Sequence, residues 1–272
     1  MKKTKKKTLV TVEALIHEQG SRPHMEDSHS ITENESWVVF AIFDGHGGDA
    51  ISRQLADPES GLGRYLLDRL KDKPDKNVAA TLKRLFQSYD DDLLKRFGSV
   101  DVGSTACLCL VWKGTYRHLW ICNVGDSRAT LMDAKTGRLK FMTLDHKPNL
   151  KSEKQRIEAA GGAVTLESKD VPRINRMTAV SRAFGDFHLK KAEGELMSCL
   201  PCVHSLELLP EEEVYLLLGT DGIWDELSIA RLTTFINKFP HSFARKIVNW
   251  ILETQPACDN ITLLALTFSS SK

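Results

Sequence analysis

Seven stretches of the chain read as strands. They are TLVTVEALIH from Thr8, SWVVFAIFD from Ser36, STACLCLVW from Ser104, RHLWICNVGD from Arg117, RATLMD from Arg128, VYLLLGTD from Val214 and NITLLALTF from Asn260. Most are nearly continuous apolar runs instead of strict alternations, which suggests strands covered on both faces or packed sheet against sheet. A helical period takes over in 62–71 and 77–97, where Val78, Leu82, Leu85, Phe86, Leu93 and Leu94 recur at helical spacing. A third helix is predicted from Ser152, the expected N-cap, to Ala160, stopped by Gly161-Gly162. In it Ile157 faces the core, while Glu153, Lys154 and Glu158 are expected in solvent. Two more helices fill 228–237 and 242–254. The helices are not interleaved one per strand, and between residues 103 and 133 short strands follow one another through hairpin-like turns. That order favours antiparallel sheets flanked by helices, an α+β arrangement, over a doubly wound parallel sheet.

Composition narrows the class without naming a function. The 272 residues are 42% apolar and 27% charged, ordinary for a globular protein, and the formal charge of +1 gives no field that would gather nucleic acid or a membrane surface. There is no internal repeat and no linker rich in Pro, Gly or Ser. Five lysines precede residue 8, but Glu13 and His17 interrupt the apolar run that a secretory signal would need. The expectation is therefore a solvated basic arm over 1–8 and one domain over 9–272. No run of 18 apolar residues offers a membrane span. Of six cysteines, Cys107 and Cys109 fit sheet packing; Cys199-Leu-Pro-Cys202 has zinc or redox spacing but no second pair to complete a site. A reduced, cytoplasmic, monomeric protein is expected.

Chemistry collects where the strands end. WVVFAIF runs into Asp44-Gly45, LWICNVG into Asp126, and VYLLLGT into Asp221-Gly222 with Asp225 beyond; Asp259 stands just before the last strand. Each Asp-Gly alone reads as a turn. Should these ends converge, the carboxylates would repel one another and require cations, and oxygen-only ligation selects hard ions such as Mg²⁺ or Mn²⁺. The glycines at 45, 47 and 48 would let backbone pass close to such ions. A second polar stretch, SRPHMED, carries Arg22, Glu26 and Asp27; an arginine fork there can clamp a phosphate.

Eight segments in one order give these features a common pattern: SRPHMED, FDGHGG, GSTA, NVGDSRA, LDHKPNLKSEKQRIEAAGG, AVSRAFGD, TDGIWDEL and CDNIT, spanning residues 22 to 262. In these the chain resembles the metal-dependent protein phosphatases of type 2C, the PPM family. The resemblance implies a four-layer sandwich, two central antiparallel β-sheets flanked by α-helices, with two Mn²⁺ or Mg²⁺ ions at one end and a weaker third. It implies that Asp44 bridges the two ions, with the Gly45 carbonyl, Glu26, Asp221 and Asp259 holding them directly or through water, and that Asp126 and Asp225, with Asp221, form the third site. Asp27 would orient water, Arg22 would bind the substrate phosphate, and His46 would be the general acid. The implied reaction is hydrolysis of phosphoserine or phosphothreonine in a protein substrate, by in-line attack of a hydroxide bridging two ions. Two other functions share this residue set: a pseudophosphatase that binds phosphoproteins without turnover, and a phosphomonoesterase for small molecules.

The chain departs from the family pattern in three places. Arg176-Met177 follows Arg173-Ile174-Asn175 where the family usually has a glycine. Residues 187–202 correspond to a variable flap, whose lysines are expected on a solvated surface. Cys258 stands beside Asp259, which suggests activity sensitive to oxidation. The segment from Asp145 to Gly162, though charged, reads as scaffold.

Overall fold

The near-continuous apolar runs become strands with both faces covered. In the computed structural model residues 8–166, 171–191, 194–255 and 258–270 are described, so most of the expected basic arm lies outside the described residues. The first part of the chain forms β1 (Thr8–Glu18), β2 (Ser28–Glu33), β3 (Trp37–Phe43) and the two-residue β4 (Gly45–His46), then α1 (Ala50–Ala56), α2 (Leu62–Leu67) and α3 (Val78–Phe97). Next come β5 (Gly103–Ser104), β6 (Ala106–Trp112), β7 (His118–Val124), β8 (Arg128–Asp133) and β9 (Leu139–Met142). They lead to α4 (Lys151–Ala159), β10 (Val164–Thr165), β11 (Arg173–Ile174), β12 (Phe184–Gly185) and α5 (Phe187–Lys191). The chain finishes with β13 (Cys202–Glu207), β14 (Val214–Gly219), α6 (Asp221–Trp224), α7 (Ile229–Lys238), α8 (Phe243–Thr254) and β15 (Ile261–Ser270).

Two five-stranded antiparallel sheets, ordered β13-β7-β6-β3-β2 and β1-β15-β14-β8-β9, pack face to face. The period of two in each strand decides which residues fill which layer. On β3, Val38, Phe40 and Ile42 point between the sheets, where Cys107, Cys109, Leu216, Leu218 and Leu264 meet them. Its alternate residues Trp37, Val39, Ala41 and Phe43 pack beneath α1, α2 and α3 with Leu55, Leu66 and Phe86. On the opposite side, Tyr215, Leu217 and Leu263 lie under α7 and α8 with Ile236, Ile247 and Ile251. Each such side chain, fully buried, contributes on the order of 2 kcal/mol. The result is the four-layer α/β/β/α sandwich that the resemblance implies. Among the described residues no helix is long and apolar enough to cross a membrane.

Several local expectations are corrected. The helix from 62 ends at Leu67, and beyond it the chain turns and places the Lys71 carbonyl 2.8 Å from Trp37 Nε1, a buried donor that needs an acceptor. The helix predicted from Ser152 begins at Lys151, and its N-cap residue is Leu150, so Ser152 lies within the first turn and caps nothing. Its end follows the expected form, with Gly161 at φ +80°. Glu153 is not in solvent: it is 1% exposed and held by Arg182, through Nη2 at 2.5 Å and Nε at 3.1 Å, and by Arg156 and Ser181. The flap also packs inward. Leu189, Leu196 and Met197 join a fourth apolar cluster with Ile157 and Ile174, and Lys190 is turned from solvent onto Asp90 at 2.5 Å.

Candidate active site

One end of the sandwich gathers the strand termini. Asp44 follows β3, and its carbonyl accepts the Thr105 N–H at 2.9 Å while its own N–H donates to Thr105 Oγ1 at 3.2 Å. Asp126 follows β7 through Gly125, which at φ +97° has no room for a Cβ: Thr105 Cγ2 would lie 2.5 Å away. Asp221 is the first residue of α6, immediately after β14 and Thr220. Gly222 beside it lets the Asp259–Asn260 backbone approach, since a Cβ would sit 2.1 Å from the Asn260 carbonyl. Carboxylate oxygens of Asp44, Asp126 and Asp221 thus lie within 4.8 Å of one another.

Those three belong to a cleft of about 430 Å³ whose walls also include Arg22, Glu26, Gly45, His46 and Asp259. Asp27 lies below the floor, 4% exposed, accepting from Thr262 Oγ1 at 2.7 Å and Thr220 Oγ1 at 2.9 Å. Asp225 stands at the edge, with its side chain 57% exposed. Arg22, at the mouth, donates to Asp259 Oδ2 at 2.5 Å. His46 Nε2 is 2.7 Å from Asp186 Oδ2. The sequence-predicted residues therefore meet at one cleft, with Asp27 beneath it and Asp225 at its margin.

The electrostatics explain what this cleft can take up. Burial, followed by the charges of Asp221, Asp27, Asp126 and Asp259, raises the Asp44 pKa well above the carboxylate range. Asp221 is pushed to about 8 and Asp27 to about 7, in both cases first by burial and then through neighbouring carboxylates, against the two hydroxyl bonds in the case of Asp27. Asp126 is raised by burial as well, opposed by Lys147. Lys147 Nζ lies 3.4 Å from Asp126 and 3.5 Å from Asp225, a single ammonium against this crowd. Buried oxygen donors with so little compensating charge fit hard divalent cations. For His46, burial lowers the pKa, but the hydrogen bond and charge of Asp186 outweigh it, and the net shift is upward.

Several contributors were not singled out from the sequence, although each lies inside a quoted motif. Asn260 clasps the SRPHMED loop: its Oδ1 accepts the Glu26 N–H at 2.8 Å, and its Nδ2 donates to the carbonyls of Gln19 and His24. Lys147 faces the carboxylates from a segment read as scaffold; its neighbours keep that role, with Asp145 paired to both nitrogens of the Arg128 fork and His146 closing on Gly125. Asp186 is the partner of His46. No spacing rule connects residues 21 to 241 positions apart.

The departures also find places. Asn175 and Arg176, at φ +48° and +65°, are the central residues of a turn closed by Met177 N–H donating to the Ile174 carbonyl at 2.8 Å. Two successive positive φ values define the type I′ geometry that favours Asn-Gly, which accounts for the glycine expected there. Met177, half exposed, joins Arg173 in the cleft wall. The Cys258 thiol packs into the apolar cluster beneath α8, and only its carbonyl serves the site loop, accepting from Ser21.

A family profile described as Protein phosphatase 2C matches residues 14–261. Human protein phosphatase 1A is 30% identical over 282 residues, covering 93% of this chain and 69% of its own. Probable protein phosphatase 2C 56 of Oryza sativa subsp. japonica is 34% identical over 268 residues, covering 93% and 70%. A crystal structure of a phosphatase from a pathogenic strain of Toxoplasma gondii has the same fold, with a TM-score of 0.81 at 23% identity over 98% of this chain and 97% of that one.

Proposed function

Since this chain belongs to the protein phosphatase 2C family and is a metal-dependent serine/threonine protein phosphatase, we propose that its reaction runs in the cleft between Arg22, His46 and the Asp44–Asp126–Asp221 cluster. The observation that carries this is the convergence of three carboxylates from three different strand ends, with one lysine ammonium paired to Asp126 beside them. We assign Asp44, Asp221, Asp259, Glu26 and the Gly45 carbonyl to two Mn²⁺ or Mg²⁺ ions, and Asp126 and Asp225 with Asp221 to a weaker third. Bound there, the ions neutralise the carboxylates, lower the pKa of water and polarise the phosphoryl group.

The other roles belong to the chain itself. Arg22 receives the phosphate of a phosphoserine or phosphothreonine in a protein substrate; its exposed fork needs only to leave Asp259 to present two donors. Asp27, held by two hydroxyl groups, orients water at the floor and can store a proton. His46 protonates the leaving serine or threonine oxygen, a poor leaving group without that proton. All six cysteines are free, which supports a reducing, intracellular setting.

The test is hydrolysis of a phosphothreonine peptide and of an aryl phosphate with Mn²⁺, with Mg²⁺ and with EDTA. Metal-dependent turnover of both supports the reading. Turnover of the aryl ester alone would point to a small phosphorylated substrate, and none from folded protein would indicate a phosphoprotein-binding role.

A further inference from the structure

His46 and Asp186 are brought together by a three-stranded ribbon whose register leaves one residue between them. In β5, Gly103 pairs with His46 of β4 on one side and with Gly185 of β12 on the other. Asp186 follows Gly185 directly. A Cβ at Gly103 would stand 2.4 Å from His46 Nε2 and 2.4 Å from Asp186 Oδ2, so glycine is what permits the two side chains to close to 2.7 Å across it. Asp186 is held in place at some conformational cost. Its φ is +47°, a region sparsely populated by residues with a Cβ, and its N–H donates to the Val102 carbonyl at 2.9 Å. The carboxylate is buried, with its side chain 5% exposed against 31% for His46. The carboxylate also lies within 4.8 Å of ligand atoms of Asp101 and His188, but its hydrogen bond goes to His46, and a buried carboxylate on a strained backbone bonded to that imidazole argues for more than packing.

We infer that Asp186 is the positioning residue of the proton donor: it accepts the Nε2–H of His46, fixes the ring, and leaves Nδ1 as the nitrogen that serves the leaving group. This rests on the reading of His46 as general acid. As the bond from phosphorus to the seryl or threonyl oxygen breaks, its electron pair stays on that oxygen, which takes the proton from Nδ1. The imidazolium becomes a neutral ring that keeps its remaining proton on Nε2, still donated to Asp186, and solvent returns the lost proton to Nδ1. Asp186 acts through His46: although it borders the cleft, its carboxylate is engaged by the ring and not by the reacting atoms. It holds the orientation and tautomer that direct the proton, as second-layer carboxylates do for other working histidines.

The experiment compares a phosphothreonine peptide with nitrophenyl phosphate, whose leaving group needs no proton, across wild type, His46→Ala, Asp186→Asn, Gly103→Ala and the double variant His46→Ala/Asp186→Asn, all with saturating Mn²⁺. His46→Ala should lower kcat for the peptide on the order of 100-fold and spare the aryl ester. Asp186→Asn and Gly103→Ala should lower peptide kcat about tenfold or more, with the same selectivity, and the double variant should be no worse than His46→Ala alone. Nitrogen-15 NMR of the ring in wild-type protein without added metal, titrated to the neutral imidazole, should show the Nε2–H tautomer. Equal losses on both substrates for Asp186→Asn, an additive double variant, or an Nδ1–H tautomer would each overturn the inference. If His46→Ala itself shows no leaving-group dependence, the general-acid reading fails first and takes this inference with it.

Discussion

Replacing Glu153 by glutamine removes one charge from a place where the chain can least replace it. The carboxylate is 1% exposed and receives both the Nε and the Nη2 of Arg182, with Ser181 Oγ and Arg156 Nη2 completing its coordination. Burial alone would raise its pKa, but the Arg182 hydrogen bonds and charge, followed by Arg156, bring it from 4.5 down to about 2. At about 1.4 kcal/mol per unit, that depression corresponds to roughly 3 kcal/mol of stability at pH 7. A mutational cost of about 3–5 kcal/mol is expected when one partner of a buried pair is lost and the other keeps its charge. The folded state binds this proton more weakly than the unfolded state. The contribution is therefore complete above pH 4.5 and lost as pH falls through about 2, with roughly 1.4 kcal/mol left at pH 3. Urea unfolding of wild type and Glu153→Gln at several pH values checks this. The gap should be at least about 3 kcal/mol at pH 7 and shrink by about half at pH 3. A gap below 1 kcal/mol at pH 7, or one indifferent to pH, would refute the assignment.

Three further outcomes test the site and its departures. Asp221→Asn should abolish turnover. Without metal its unfolding midpoint at pH 7 should equal or exceed that of wild type, because the wild-type carboxyl, with a folded pKa of about 8, must take up a proton to fold at that pH and asparagine need not, and Mn²⁺ should no longer raise it; a midpoint that still climbs with Mn²⁺ would separate Asp221 from the metals. Wild-type protein without metal should lose stability as pH rises from 6 to 8, since Asp221 and Asp27, with folded pKa values of about 8 and 7, bind protons more tightly folded than unfolded. Arg22→Ala should lower kcat/KM for a phosphopeptide on the order of 10- to 100-fold by removing a charge-assisted pair to phosphate, and an unchanged value would remove Arg22 from the substrate site. Arg176→Gly should raise stability by about 1 kcal/mol by relieving the left-handed φ, read as a higher urea midpoint; a lower one would mean that the contacts of Arg176 outweigh its strain.

Local patterning determined a good deal of this protein. Seven strands and five helices were legible because short apolar runs and a 3.6-residue period are properties of the residue order, and the succession of strands between residues 103 and 133 already argued for antiparallel sheets. Asp44, Asp126 and Asp221 were legible as well, since each stands at the end of an apolar run. Convergence was not legible, because it depends on sheet order: β3, β7 and β14 bring Asp44, Asp126 and Asp221 together only once two sheets stack with those ends on the same side. For the same reason Glu153 looked like a solvated helix residue. Nothing in its neighbourhood announces that Arg182, 29 positions on, will turn its fork onto it. The pairing of His46 with Asp186 across Gly103 is a matter of register between three short strands, set by long-range hydrogen bonds that no local preference encodes. Residue order supplied the groups that carry the chemistry, and tertiary structure alone chose their distances, because burial and pairing energies exist only between segments that the fold has brought into contact.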